Sequence, residues 1–599
     1  MFTLAANNAH SQEVKRAANE SESLHEVIVS AARAPQEWRQ TSSSVSVISM
    51  ADLETMQIPD LKTSLQQESG VNVITTGAVG GGTAVYIRGA YPHHTLFIVD
   101  GVRMNDRSAS YNNFMGGSGA EGIDRIEILR GAQSPMYGSA AMGGVILMNT
   151  SKGSETLGGN AALSGGSFDS YSGSMAATGS AGDLGFSASA TRYHTANEQP
   201  ANDYDSESYS ARLNYDVSES WEVGATYRGQ QATFQSPGSR FVTTSQGVVD
   251  SENTLATAYA EWQASATVNS KFTVGYHQRK YDWTDRSGTS KQTNEREIFE
   301  WQTAWTPSNA LSVVVGANYE QSEYDINSSL SEDEILAGFL SGTYQITDTL
   351  TFTAGIRRDD FESVGSAFTW RSGVAWMVLP DTKVRATYGT GFAAPGSSDR
   401  YGVPAFGQLP NPDLRPEESK GWDLGVDQSF MGGALTLSAT YFDNRFKDLI
   451  DWSYVDLVTD EGMYINRSKA STSGVEFGIT ARPVDSWNVR FGYTYLDGRD
   501  EGTDKRLTRR PRNSFDASTW FDITDQWTVG LGVRGMYDRL DTPGPLEDYN
   551  VARAFTSYQL GQNLSIKARV ENLLDEKYDE VYGYAALSRG YYGSVEWKF

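Results

Sequence analysis

Beyond about residue 154 the chain alternates. In Leu435–Tyr441, LTLSATY, one face takes Leu435, Leu437, Ala439 and Tyr441 while the other takes Thr436, Ser438 and Thr440. Such a strand is apolar on one side and polar on the other. The same period returns in Leu350–Arg357, Phe272–His277 and Leu564–Glu571, and in the last of these Lys567, Arg569 and Glu571 share the polar face, as a wet lumen requires. The chain closes on Tyr591–Phe599, alternating to a terminal aromatic.

Turn signals such as Asp-Gly, Pro-Asp and Ser-Asn break these strands, and longer polar inserts, for example 235–254 and 395–416, fall between them. Short turns alternating with long loops predict a transmembrane all-β fold, an antiparallel outer-membrane barrel. Propellers and sandwiches also string many short strands together. Against them stand the absence of a blade-length repeat and the terminal aromatic strand. Mean hydropathy is −0.45, and no window has the length and apolarity of a membrane helix. A barrel hides its lipid face in every second residue, so neither fact excludes the membrane. The 59 Gly, 31 Tyr, 24 Phe and 14 Trp suit tight turns and amphipathic strands.

Residues 40–153 follow another pattern. Val85–Gly89, Thr95–Gly101 and Ile123–Gly131 read as short strands ending in glycine turns, and Met50–Gln67 carries helical spacing with Leu53, Met56, Leu61 and Leu65 as its apolar set. A small α+β domain is predicted ahead of the barrel. Residues 1–24 are too polar to bury and read as a disordered tail. Its start lacks the basic head and apolar stretch of a secretion signal and reads either as the tail of a truncated one or as a misplaced start. Val27, Ile28 and Val29 then form a β-branched run with no strand partner beside it.

With 74 acidic and 49 basic residues the net charge is −25, which argues against nucleic acid as a partner. The lack of cysteine removes disulfides, thiolate metal sites and cysteine nucleophiles. Gly117–Gly122 matches a dinucleotide fingerprint by letter but opens a strand, so it reads as a loop. No arrangement of nucleophile, base and oxyanion site is visible, and an enzyme is not expected. Asp203, Asp205 and Glu207 alternate on one side of an extended segment; calcium uses such oxygen clusters, and an acidic surface loop has the same composition.

Specific motifs carry a family resemblance. IRGAYPHHTLFIVDGVRMN from Ile87 and IDRIEILRGAQSPMYGSAAMGGVILMNT from Ile123 resemble the plug of TonB-dependent outer-membrane transporters in order and spacing. NPDLRPEESKGWDLG at 411–425, INRSKASTSGVEFG at 465–478 and VENLLDEKYDEVYGY at 570–584 agree with it along the barrel. Ala132 departs from the family, which usually has proline after Leu-Arg-Gly.

The resemblance implies a barrel of about 22 strands enclosing the plug. It divides the chain into the tail at 1–24, a Ton box region at 25–33, the plug at 34–153 and the barrel at 154–599. Glu26, Val27, Ile28, Val29 and Ser30 resemble the Ton box, which TonB captures; β-augmentation by TonB would supply the missing strand partner. ExbB and ExbD would energise TonB, and outer-membrane lipid would surround the barrel. Arg88 and Arg130 would face wall carboxylates at Glu417 and Glu476, forming a plug–barrel lock.

Substrate contacts are expected from Tyr91, His93, His94, Asn105, Tyr111 and Asn112 on outward plug loops. Two adjacent histidines on a strand would point to opposite faces, so hydrogen bonding is expected of His93 and His94 in preference to metal coordination. No cofactor is required, with calcium at Asp203 and Asp205 as the one metal reading. The closing DEKYDEVYGYAALSRGYY block and the Asp448–Asp451 strand look most like the cobalamin-importing branch of the family. The alternatives are a ferric-siderophore or haem receptor of the same family and, from another class, a passive porin or adhesin.

Overall fold

The computed structural model describes residues 28–29, 33–34, 36–105, 122–241, 246–403, 408–456 and 461–599. Among these, 22 antiparallel strands run from Gly158–Gly166 to Gly590–Lys598 and close into a barrel. Ala161 lies opposite Trp597 and Leu163 opposite Val595 at the seam. The period of two sorts every strand. Along Glu417–Phe430 the buried positions include Glu417, Ser419, Asp423 and Asp427, while Trp422, Leu424 and Val426 are exposed on the outer wall. Stacked or tilted aromatic pairs, Trp221 with Trp262 near one rim and Trp370 with Tyr388 nearer the other, flank the apolar band.

The strands outrun the bilayer. Glu461–Val484 has 24 residues, where about 9–11 suffice to cross the hydrocarbon. The expected insert at 235–254 is therefore half strand: Trp221–Ser236 and Gly247–Ser265 stay paired up to Ser236 opposite Gly247. The described parts of 395–416, residues 395–403 and 408–416, lack barrel strands and contain the short helix Ser397–Tyr401. One rim carries tight connections at 182–183, 219–220 and 266–267, and the opposite rim carries longer ones at 501–512 and 572–589. The chain end lies on the tight-turn rim, where Phe599 N–H donates to Gly159 O at 3.0 Å.

Inside the barrel sits a five-stranded sheet in the order Val45–Ser49, Ile123–Arg130, Gly144–Thr150, Thr95–Val99, Val102–Arg103. Thr95–Val99 and Gly144–Thr150 run parallel, and a separate hairpin pairs Val71–Thr75 with Thr83–Ile87. Ile87, Phe97, Ile126, Ile128 and Ile146 are fully buried between sheet and helices. The single helix expected over Met50–Gln67 is two, Met50–Thr55 and Leu61–Leu65. Pro59 has no N–H to donate and biases Ile58 away from helical geometry. Asp60 then restarts the helix as its cap, accepting from Thr63 N–H at 2.6 Å. The apolar set survives the break, because Leu53, Met56, Leu61 and Leu65 are all buried.

Candidate functional site

Plug and wall meet through buried charge. Arg88 follows the strand Thr83–Ile87 at φ +51, a left-handed setting that costs a non-glycine residue about 1–2 kcal/mol. Its backbone N–H is held by Gly70 O at 2.8 Å. Its guanidinium grips Glu476 through Nε and Nη2, both at 2.9 Å, and reaches Asp423 from Nη1 at 3.1 Å. The Phe442 ring lies 4.9 Å from the guanidinium carbon. Burial works against the Arg88 charge, yet Glu476 and then Asp423 outweigh it and push its pKa up. Asp423 went unpredicted although it lies in the 411–425 motif. Strand parity was the available signal, since Asp423 shares a face with Glu417.

Arg130 bonds mainly within the plug. Its Nε donates to Ser69 O at 2.9 Å and its Nη2 to Glu68 at 3.5 Å, with Glu476 at 4.0 Å. Burial outweighs these carboxylates and lowers the Arg130 pKa. Gly70 makes the arrangement possible: at φ +76, a Cβ there would lie 2.0 Å from Glu476 Oε1. Only glycine combines that backbone setting with that approach.

Glu417 faces neither arginine. One oxygen accepts Ile450 N–H at 2.8 Å, and the other meets Nε2 of both His93, at 2.8 Å, and His94, at 2.7 Å. The expectation that adjacent histidines diverge fails for a local reason. Pro92 starts a 3₁₀ turn, Pro92–His94, so the pair is not on a strand, and the ring centroids stand 4.3 Å apart. Burial drives His94 down to about 4. For His93 burial acts in the same direction, but Glu417 outweighs it and raises the pKa. These three side chains are the group among the described residues whose ligand atoms could hold a metal ion, all within 4.8 Å of one another.

The other expected contacts divide. Tyr91 and His93 are partly exposed, whereas His94 is fully buried. Asn105 is committed inside the plug, accepting from Phe97 N–H at 2.7 Å and donating to Thr95 O at 2.8 Å. Tyr111 and Asn112 lie outside the described residues. Asp205 is exposed on the outer face of the wall and holds His194 Nδ1 at 2.8 Å, while Glu207 pairs with Arg192 at 3.2 Å. Asp203 precedes that strand and does not join them in a cluster that could hold an ion.

Two anchors were not anticipated. Glu580, 4% exposed, accepts from Lys62 Nζ and Thr75 N–H at 2.8 Å and from Arg534 at 3.2 Å. Burial opposes its charge, but Lys62 and Arg534 hold it below the usual carboxylate range. Its signal was its place in the 570–584 motif. Arg33 donates from Nη1 to Glu300 at 2.6 Å and from Nε to Met136 O at 2.5 Å, and it packs on Tyr137 and Phe339. Just upstream, Ile28 and Val29 pair antiparallel with Glu37 and Gln36; Glu26, Val27, Ser30 and the tail at 1–24 lie outside the described residues.

Family models match both parts of this architecture. The TonB-dependent receptor plug domain matches residues 37–145 and the TonB-dependent receptor-like β-barrel residues 151–573. The chain belongs to the TonB-dependent receptor family. It is 28% identical over 596 residues to the vitamin B12 transporter BtuB of Photobacterium profundum, covering 96% of this receptor and 95% of that protein. The BtuB of Vibrio vulnificus strain YJ016 is 26% identical, with 97% of each chain covered. Among solved structures, the siderophore receptor PirA of Acinetobacter baumannii superposes with a TM-score of 0.82 at 18% identity, over 94% of this receptor and 99% of PirA. The ferric enterobactin receptor PfeA of Pseudomonas aeruginosa gives 0.81 at 17%, over 94% and 100%. The receptor is accordingly an outer-membrane β-barrel protein of Gram-negative type, and its family comprises receptors and transporters, not enzymes. On that placement the tight-turn rim is periplasmic and the long connections are extracellular.

Proposed function

We propose that this receptor imports cobalamin or a related corrinoid across the outer membrane, driven by TonB together with ExbB and ExbD. The observation that carries the substrate choice is the similarity to vitamin B12 transporters along nearly the whole of both chains. The fold neighbours are siderophore receptors at 17–18% identity, a likeness of fold alone.

The chain's own residues supply the parts such an importer needs. A lumen of this width is not selective, so the plug must close it. Arg88 on Glu476 and Asp423, Glu580 on Lys62 and the Thr75 amide, and Glu417 on the two histidines are among the bonds that would hold it closed. The substrate would meet Tyr91 and His93 on the outer side; Tyr111 and Asn112, expected to join them, lie outside the described residues.

On the periplasmic side TonB would add a strand to Glu26–Ser30. Capture must compete with the pairing of Ile28 and Val29 to Gln36 and Glu37. Any pull would then load Arg33 first, because Arg33 is the nearest described side chain tied to the wall. The reading requires no resident cofactor. Calcium at Asp203 and Asp205 would have to displace His194 from Asp205.

Equilibrium binding to the purified receptor tests the substrate. Cyanocobalamin is expected to bind while ferric catecholate and hydroxamate chelates do not. Binding of a ferric chelate alone would reassign the substrate and leave the transporter class standing.

A further inference from the structure

The contact of His93 and His94 with Glu417 has more in it than a plug–wall hydrogen bond. Two imidazole nitrogens from the plug converge on a single carboxylate oxygen of the wall, at 2.8 and 2.7 Å. The other oxygen is fixed by the Ile450 amide at 2.8 Å, so the carboxylate is oriented before any ligand arrives. His94 is stacked on Phe446 at 5.4 Å and fully buried, which fixes its ring as well. His93 keeps 35% of its side chain exposed and gives the cluster its opening.

We infer that His93 Nε2, His94 Nε2 and Glu417 Oε2 form a binding site for one divalent transition-metal ion, bridging plug and wall. Two imidazoles and a carboxylate suit zinc, nickel, copper or cobalt. They do not suit magnesium or calcium, which take oxygen ligands. Ligand atoms around a tetrahedral zinc stand about 3.3 Å apart, so the hydrogen-bonded spacing has to open by about half an ångström. Three protein ligands leave a fourth position for water, on the exposed side of His93.

Loading exchanges hydrogen bonds for coordinate bonds. A neutral His94 donates from Nε2 to Glu417 while its Nδ1 accepts the Tyr91 N–H at 3.3 Å. Coordination needs the Nε2 lone pair, so the His94 proton moves to Nδ1 and that long Tyr91 contact is given up. A protonated His93 releases one proton to solvent. Because the imidazoles belong to the plug and the carboxylate to the wall, the bound ion cross-links the two on the extracellular side. The inference does not depend on which substrate the receptor takes.

Cobalt(II) titrated into the full-length, chelator-stripped receptor in detergent tests it, with excess magnesium present to occupy the many surface carboxylates. The expected result is one magnesium-resistant cobalt per chain with the visible absorption of a nitrogen-ligated ion. His93→Gln, at the open side of the cluster, should weaken that binding at least about tenfold, as should Glu417→Gln, whereas Asp205→Asn should not. X-ray absorption of the zinc-loaded parent, which needs no variant to fold, should show two imidazoles. Binding that magnesium abolishes, equal affinity in the parent and His93→Gln, or an all-oxygen shell would each overturn the assignment.

Discussion

Arg33 and Glu300 stand 267 positions apart in sequence, and the Arg33 Nη1 lies 2.6 Å from Glu300 Oε1. The pair ties the segment that follows Ile28 and Val29 to the middle of the barrel wall. The pair is partly buried, so removing one member costs less than the roughly 3–5 kcal/mol of a fully buried pair. Glu300→Ala should therefore free the segment around residues 28–37 without ligand. Spin labels at positions 28 and 36 should gain mobility, and uptake should fall while surface binding persists. Labels as immobile as in the parent would remove Arg33 from the tether.

Proline at Val27 removes a main-chain donor and resists strand pairing. Val27→Pro should abolish accumulation of the substrate and leave its affinity at the cell surface within about twofold. Normal accumulation would mean that Glu26–Ser30 is not the segment TonB captures.

Arg88 and Arg130, both expected to face wall carboxylates, should behave differently. Arg88→Ala leaves Glu476 and Asp423 buried without their main cation, at a cost of about 3–5 kcal/mol. It should admit bulky antibiotics that the parent excludes. Arg130→Ala chiefly loses contacts to Glu68 and Ser69 inside the plug, so its leak should be smaller. Equal antibiotic sensitivity in the two variants would contradict this ranking.

The contrast between these arginines shows what could be read along the chain. The alternation of Leu435–Tyr441 reports a face, and that is enough for a barrel, because every strand solves the same problem of lipid outside and water inside. Arg88 and Glu476 were legible through the motifs that hold them, and Asp423 was recoverable by parity. The His93–His94 geometry was not, because Pro92 changes the local period from a strand to a 3₁₀ turn. Pro59 divides Met50–Gln67 in the same local way. Arg33 with Glu300, and Glu580 with Lys62, are pairings over hundreds of residues; each member alone resembles any other lumen charge.

Calcium offers a fourth test. Asp205 is exposed on the outer wall and already bonded to His194, and no third carboxylate gathers with it and Asp203 among the described residues. Adding calcium to chelator-treated receptor should leave cyanocobalamin affinity unchanged, and Asp203→Asn with Asp205→Asn should do the same. A calcium-dependent gain that the double variant erases would show that these loops rearrange around an ion.

The most direct test is accumulation of radiolabelled cyanocobalamin by cells that carry this receptor in place of their own, with and without TonB. The account predicts concentrative uptake when TonB is present and surface binding alone when it is absent. Equal entry in both strains would make the protein a passive pore, and no binding in either would remove cobalamin as its substrate.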